Sequence, residues 1–164
     1  MKRIRNDATL FALSVSIALV LSAIPVPGAL GYFKPFWIAL IALFWVIEAP
    51  ETLGLGFAFV LGLALDVLAG SLLGEHALRL VFIVYIAGRF RLRLRFYPMW
   101  QQALFILVLL LNDRLVSLWI ASLSGHAFPD YRYWLAPAVS TLLWPWVFLL
   151  LDGLRHRRSR SREA

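Results

Sequence analysis

The sequence predicts an all-α polytopic membrane protein with six transmembrane helices, and three observations predict it. Apolar side chains make up 62% of the 164 residues and charged ones only 15%, against roughly 45–50% and about 25% in soluble domains. The apolar residues fall into six runs, each near the roughly 17–25 residues with which a helix crosses a bilayer. The basic residues collect in clusters that an even number of crossings places on one side. Such a chain excludes a soluble enzyme and a nucleic-acid binder despite a net charge of +7; the basic excess belongs at the membrane surface. The absence of cysteine excludes a disulfide framework, a thiolate metal site and a cysteine nucleophile.

The first span, residues 8–24, lies in a stretch without charge between Asp7 and Lys34. The second covers 33–49, and the third, 52–72, is interrupted only by Asp66. The fourth, 75–90, is built around Arg79, and the fifth, 98–124, carries Asn112, Asp113 and Arg114 in its middle. The sixth, 133–151, has no charged residue; Pro137 and Pro145 should kink it and free carbonyls that Ser140 or Thr141 could satisfy. Residues 1–154 thus form a single six-span domain. The basic tail 155–164 has the composition of a disordered, solvated end. No connection is long enough for a folded domain outside the bilayer.

Positively charged loops stay on the cytoplasmic side. Lys2, Arg3 and Arg5 precede span one, Arg89, Arg91, Arg93 and Arg95 follow span four, and Arg155, Arg157, Arg158, Arg160 and Arg162 follow span six. Only Lys34 and Arg132 fall opposite, so both termini are expected in the cytoplasm. Tyr32, Trp37, Tyr97, Trp100, Trp119, Tyr131, Tyr133 and Trp134 lie near the expected interfaces, where amphipathic rings prefer to be. A cleaved signal peptide fits less well, because the first run is longer than a signal core and its loss would break the even count.

Span three carries the most informative pattern. Gly54, Ala58, Gly62, Asp66, Gly70 and Gly74 recur at every fourth position, which on a helix stacks them on one face. Small residues at this spacing let a second backbone approach closely. Internal packing is the favoured reading, and a docking stripe for another protein's helix, formed by Gly54, Ala58, Gly62, Gly70 and Gly74, is the functional one.

Asp66, Arg79, Asp113 and Arg114 form a candidate intramembrane polar cluster, since a lone ion at such depth demands a partner or water. If spans three and four make a hairpin turning near Leu72–Leu73, Asp66 and Arg79 are equidistant from the turn, each roughly 10 Å below the outer surface, and are expected to pair. Two acids and two bases sum to zero. A structural cluster fixing helix register is the first reading; a proton or solute pathway and a surface read by a partner are the others.

Arg89, Arg91, Arg93 and Arg95 alternate with apolar residues. Extended, they would share one side; in a frayed helix end their stems would snorkel. Attraction to anionic lipid explains them, with docking of an acidic partner as the alternative. His76, His126 and His156 lack metal-ligand spacing, and no triad, phosphate loop or paired-carboxylate motif can be built. No catalytic residue, metal or cofactor is expected.

At Gly56-Phe57 and Gly62-Leu63-Ala64-Leu65-Asp66-Val67-Leu68-Ala69-Gly70-Ser71-Leu72-Leu73-Gly74 the chain resembles the rod shape-determining family MreD. Lys34-Pro35-Phe36-Trp37, Trp100-Gln101-Gln102-Ala103-Leu104 and Leu143-Trp144-Pro145-Trp146-Val147-Phe148-Leu149-Leu150 are similar to its proteobacterial branch. The resemblance implies a non-enzymatic bacterial inner-membrane component of the cell-elongation machinery, working with the single-span protein MreC and the filament protein MreB. The glycan polymerase RodA and a class B penicillin-binding protein are implied nearby. It also implies a fold similar to the six-helix substrate-binding component of energy-coupling-factor transporters, and hence a second reading as a vitamin-binding component. An enzyme of lipid metabolism using Asp113 and Arg114 is a third.

Overall fold

The computed structural model describes residues 2–123 and 130–160, with side chains described for 8–28, 30–123 and 130–156. The side chains of Lys2, Arg3, Arg5, Arg157, Arg158, Arg160 and Arg162, and the segment 124–129 with His126, lie outside the described residues. Six α-helices run in chain order: α1 (Lys2–Ala23), α2 (Trp37–Glu48), α3 (Leu55–Ala69), α4 (Glu75–Leu94), α5 (Met99–Leu123) and α6 (Leu135–Arg160). Short 3₁₀ turns, Gly28–Phe33 and Tyr131–Trp134, lead into α2 and α6.

The centre of the bundle is α2, packed on α1, α4 and α6. It is apolar around its whole circumference, as a helix enclosed by others must be: Ile38–Leu40 and Ala42–Ile47 are buried. It begins at Trp37 rather than at residue 33 because Pro35 disfavours helical backbone at Lys34, which is extended at φ −64° and ψ 117°. Aromatic residues lock the neighbours on. Phe11 meets Trp45 edge to face at 5.4 Å, and Phe44 meets Phe148 at 5.5 Å. The Trp45 indole donates to Ser14 Oγ at 2.9 Å, and Ser14 donates in turn to the Phe11 carbonyl.

The most extensive pairing is α3 on α4. A Cβ on Gly62 would lie 2.2 Å from the Ala77 Cα, so only glycine permits this approach. Ala58 is fully buried. Gly70 and Gly74 stand beyond the helix, at φ 63° and φ 100°, as the left-handed ends of the α3–α4 turn. The stripe is therefore corrected. Its middle is occupied by α4 of the same chain, and two of its members leave the helix face altogether; Gly54, the residue before α3, is exposed.

Outward faces carry the large apolar side chains: Leu13, Ile17 and Val20 on α1, Leu104, Val108 and Leu115 on α5, Leu142, Trp146 and Leu149 on α6. This is the surface of a multi-pass membrane protein. Among the described residues three helical segments are long and apolar enough to cross a bilayer, Leu30–Glu48, Met99–Leu123 and Tyr131–His156. The apolar part of α1, Ala8–Ala23, and α3 with its 15 residues are shorter. Of the two forms open to the arginine run 89–95, the chain takes the helix end, helical through Leu94, which is buried and anchors it. One further expectation changes. The segment read as a disordered tail continues α6 to Arg160, because Arg155 is tied to Glu48 and His156 bonds back to the Asp152 carbonyl. Ser140 and Thr141 bond the carbonyls of Ala136 and Pro137, one turn before the carbonyl that Pro145 frees.

Candidate functional site: a charged cavity between α2, α4 and α5

Asp66 lies one turn from the end of α3, and its carboxylate turns into the following loop. Oδ1 accepts from the His76 backbone N–H at 2.8 Å, from Ser71 Oγ at 3.0 Å and makes a 2.9 Å contact with His76 Nδ1; Oδ2 accepts from the Gly74 N–H at 2.8 Å. The side chain is fully enclosed, and these bonds cap the start of α4, where backbone N–H groups have no partner within the helix.

The expected Asp66–Arg79 pair does not form. Gly62, not a residue nearer Asp66, meets Ala77, because α4 starts alongside Asp66, whose carboxylate holds the Gly74 and His76 N–H groups. Asp66 is thereby brought level with the turn and Arg79 lies deeper. Arg79 reaches α5 instead: its Nε donates to Asp113 Oδ1 at 2.8 Å and a terminal nitrogen donates to Asp113 Oδ2. Its other terminal nitrogen donates to Glu75 Oε1 at 3.2 Å, an oxygen that also accepts from Ser117 Oγ. Both partners of the central pair are buried, at 8% and 5% exposure. A bidentate fork with a third bond is the geometry that compensates the loss of water around such ions.

Arg114, one residue on, takes no carboxylate among the described residues. Its guanidinium lies 4.5 Å from the Phe36 ring centre and 4.1 Å from that of Tyr133, and its buried Nε has no hydrogen-bond partner among the described residues. Tyr133 Oη donates to the Arg114 carbonyl at 3.3 Å. Lys34 reaches back to the end of α1, donating to the carbonyls of Ser22 and Ile24. These groups border a cavity of about 270 Å³ whose polar lining includes Lys34, His76, Arg79, Asp113 and Arg114, and whose apolar walls include Phe36, Trp37, Leu65, Leu80 and Ile83. Of the four residues singled out in the sequence, Arg79, Asp113 and Arg114 meet here, and Asp66 stands behind the lining, in contact with His76.

The opposite end of the bundle is tied by Glu48, which lies 3.7 Å from Arg95 and 3.5 Å from Arg155. It joins the ends of α2, α4 and α6. Arg89, Arg93 and Arg95 are exposed there, and Gly54, Gly88, Tyr85, Arg89 and Arg91 line a second cavity of about 420 Å³. Gln102, within one of the quoted motifs, donates to the carbonyls of Leu94 and Tyr97 and so closes the end of α4.

Sequence reasoning passed over Glu48 and Glu75 as ion-pair partners, weighed His76 only as a metal ligand, and gave Ser71, Phe36 and Tyr133 no part in the site. The four-residue spacing of Glu75 and Arg79 was the one signal that could have found a member of this set. Among the described residues no three His, Asp or Glu side chains are grouped to hold a metal. Asp113 is spent on Arg79, so the arrangement offers charge and hydrogen bonding rather than a general base.

The sequence model of the family described as rod shape-determining protein MreD matches residues 2–154. A relative named rod shape-determining protein MreD, from Haemophilus influenzae, is 38% identical over 142 residues, which cover 86% of this chain and 87% of the relative. No solved structure matches the chain.

Proposed function

The chain belongs to the rod shape-determining protein MreD family, and from that premise we propose how a non-enzymatic, multi-pass inner-membrane component of the rod-shape and elongation machinery is built to hold its partners. All six helices cross the membrane, both termini are cytoplasmic, and the fold is that of the substrate-binding component of energy-coupling-factor transporters. The alternation of helix direction supports this reading: Glu48 gathers the ends of α2, α4 and α6 at the arginine-rich end, while the charged cavity lies toward the other. α3 and the apolar part of α1 are short for a bilayer of about 30 Å; local thinning and snorkelling of flanking residues accommodate such mismatch.

The partner is an MreC-like single-span protein, and the assembly includes MreB, RodA and a class B penicillin-binding protein. Arg89, Arg91, Arg93 and Arg95 form the cytoplasmic face, held against anionic lipid. Arg79, Asp113 and Asp66 fix helix register; Ala58 and Gly62 serve packing within the chain, and Gly54, at the start of α3, remains open to a neighbour.

The observation that carries this proposal is the 38% identity across 86% of the chain. Two measurements test it. A reporter active only in the periplasm, fused after Ala164, should stay silent, whereas one placed between Gly125 and Arg132 should be active. Gently solubilised protein should retain an MreC-like partner in fixed stoichiometry. A stoichiometric vitamin together with a coupling ATPase in place of that partner would sink the scaffold reading.

A further inference from the structure

We infer that the charged cavity is a binding site for a phosphate ester, with the Arg114 guanidinium as its principal ligand and the Lys34 ammonium as its second. The inference goes beyond the scaffold reading and does not rest on it. Six charged groups lie in or just behind this cavity, and they are not equivalent. Arg79 is consumed by Asp113 and Glu75, and Asp113 spends both carboxylate oxygens on Arg79. Asp66 is consumed by the α3–α4 turn. What remains is two cations that no carboxylate neutralises among the described residues, Arg114 and Lys34, both lining the same space of about 270 Å³.

Arg114 is prepared for an oxyanion in three respects. Phe36 and Tyr133 contact its guanidinium at 4.5 and 4.1 Å, which fixes the planar group and leaves its donors unspent. Its Nε–H is buried without an acceptor, a state that costs free energy unless a ligand supplies one. Its Cα is held in turn by the Tyr133 hydroxyl on its own carbonyl. A planar fork of donors matches phosphate oxygens two at a time. Lys34 donates to two carbonyls, and an ammonium has three donors, so one remains. The apolar walls, Phe36, Leu65, Leu80 and Ile83 among them, exclude water and strengthen charge pairing. They also suit the glycerol and upper acyl region of a phospholipid, while inorganic phosphate or a soluble phosphate ester would use the same two cations.

The test uses the full-length chain, purified and delipidated in neutral detergent. Native mass spectrometry and thermal unfolding are recorded with phosphatidylglycerol, with diacylglycerol of the same chains lacking phosphate, and with inorganic phosphate. Phosphatidylglycerol retained in preference to diacylglycerol, with no effect of inorganic phosphate, supports the site and identifies a lipid headgroup. Stabilisation by inorganic phosphate alone supports it and identifies a soluble source. Arg114→Gln should weaken either by about tenfold or more, the loss expected for a charge-assisted bond. Lys34→Gln should weaken it less, and Arg93→Gln, at the far end of the bundle, should leave it unchanged. Should Arg114→Gln fail to fold, the preference for the phosphate-bearing lipid and the Lys34→Gln response decide alone. Equal retention of diacylglycerol and phosphatidylglycerol with no response to phosphate overturns the inference, as does binding lost on Arg93→Gln but kept on Lys34→Gln and Arg114→Gln.

Discussion

Arg79 of α4 holds both carboxylate oxygens of Asp113 on α5, and this fork joins the two halves of the chain inside the apolar interior. The pair can persist there because Glu75 takes the remaining terminal nitrogen, so each of the three guanidinium nitrogens has a carboxylate acceptor. Removing one partner of such a pair strands the other, typically at a cost of about 3–5 kcal/mol.

Asp113→Ala should therefore sharply lower the yield of folded, monodisperse protein, and Arg79→Ala should do the same. The double replacement should cost less than the two single losses combined, since it removes both charges at once. Glu75→Gln, which leaves the fork intact, should be milder. Fluorescence-detected gel filtration with a heating step reads all four. Additive losses at Arg79 and Asp113 would mean that the pair does not couple the helices.

The Asp66 carboxylate presents a different case, because its partners are the N–H groups of the next helix rather than a cation. Asp66→Ala leaves the Gly74 and His76 N–H groups without their acceptor, a penalty of about 1–3 kcal/mol for each such group kept from water. The turn should loosen first. Protease cleavage near residues 70–74 should rise while the remainder of the bundle stays resistant, and Asp66→Ala combined with Arg79→Ala should be additive. Rescue of one by the other would restore the direct pair that the sequence suggested.

That suggestion shows where sequence reasoning stops. That Asp66, Arg79, Asp113 and Arg114 sit within apolar runs and need partners was legible from hydropathy alone. Their pairing was not, because it depends on how the two helices are offset: Gly62, seven residues before the end of α3, faces Ala77, two residues into α4, and α4 starts level with Asp66. The fourth-residue spacing of the small residues was real, yet periodicity alone does not reveal that Gly70 and Gly74 lie past the helix end. Nor did composition foresee that Arg155 would find Glu48 and carry α6 onward. The aromatic flanks of Arg114 come from segments far apart in the chain, Phe36 before α2 and Tyr133 before α6, and no local pattern announces such a meeting. The helix order, the apolar exterior and the basic end were legible from charge and hydropathy alone.

Gly62→Leu tests the close approach in span three. Its Cβ alone would come within 2.2 Å of the Ala77 Cα and 2.6 Å of its N, and both are backbone atoms that cannot step aside without moving α4. The protein should fail to accumulate, whether or not a partner is co-expressed. Gly54→Leu, where an added Cβ meets nothing within 4 Å, should leave the bundle monodisperse, and any loss of partner capture there would locate a contact. Normal accumulation of Gly62→Leu with loss of the partner alone would restore the docking stripe.

The last prediction concerns the arginine-rich end, where the energetics differ from those of the buried fork. Glu48 is only 10% exposed, but Arg95 is 59% exposed and Arg155 25%, so each pair is partly screened and contributes at most about 1 kcal/mol. Arg95→Ala should accordingly be near neutral in thermal stability. Glu48→Ala should cost more than Arg95→Ala, because it removes the one carboxylate that faces both Arg95 and Arg155 at the end of α2. The effect should be local: the continuation of α6 beyond Leu151 should become more accessible to trypsin, while the temperature at which the bundle unfolds moves little. High salt should reproduce part of this in the unaltered protein, since screening acts on exposed pairs and spares the Arg79–Asp113 fork. If Glu48→Ala leaves tryptic cleavage after Arg155 unchanged at low salt, the helical tail is held by its own propensity, and Glu48 is not the tie between α2, α4 and α6.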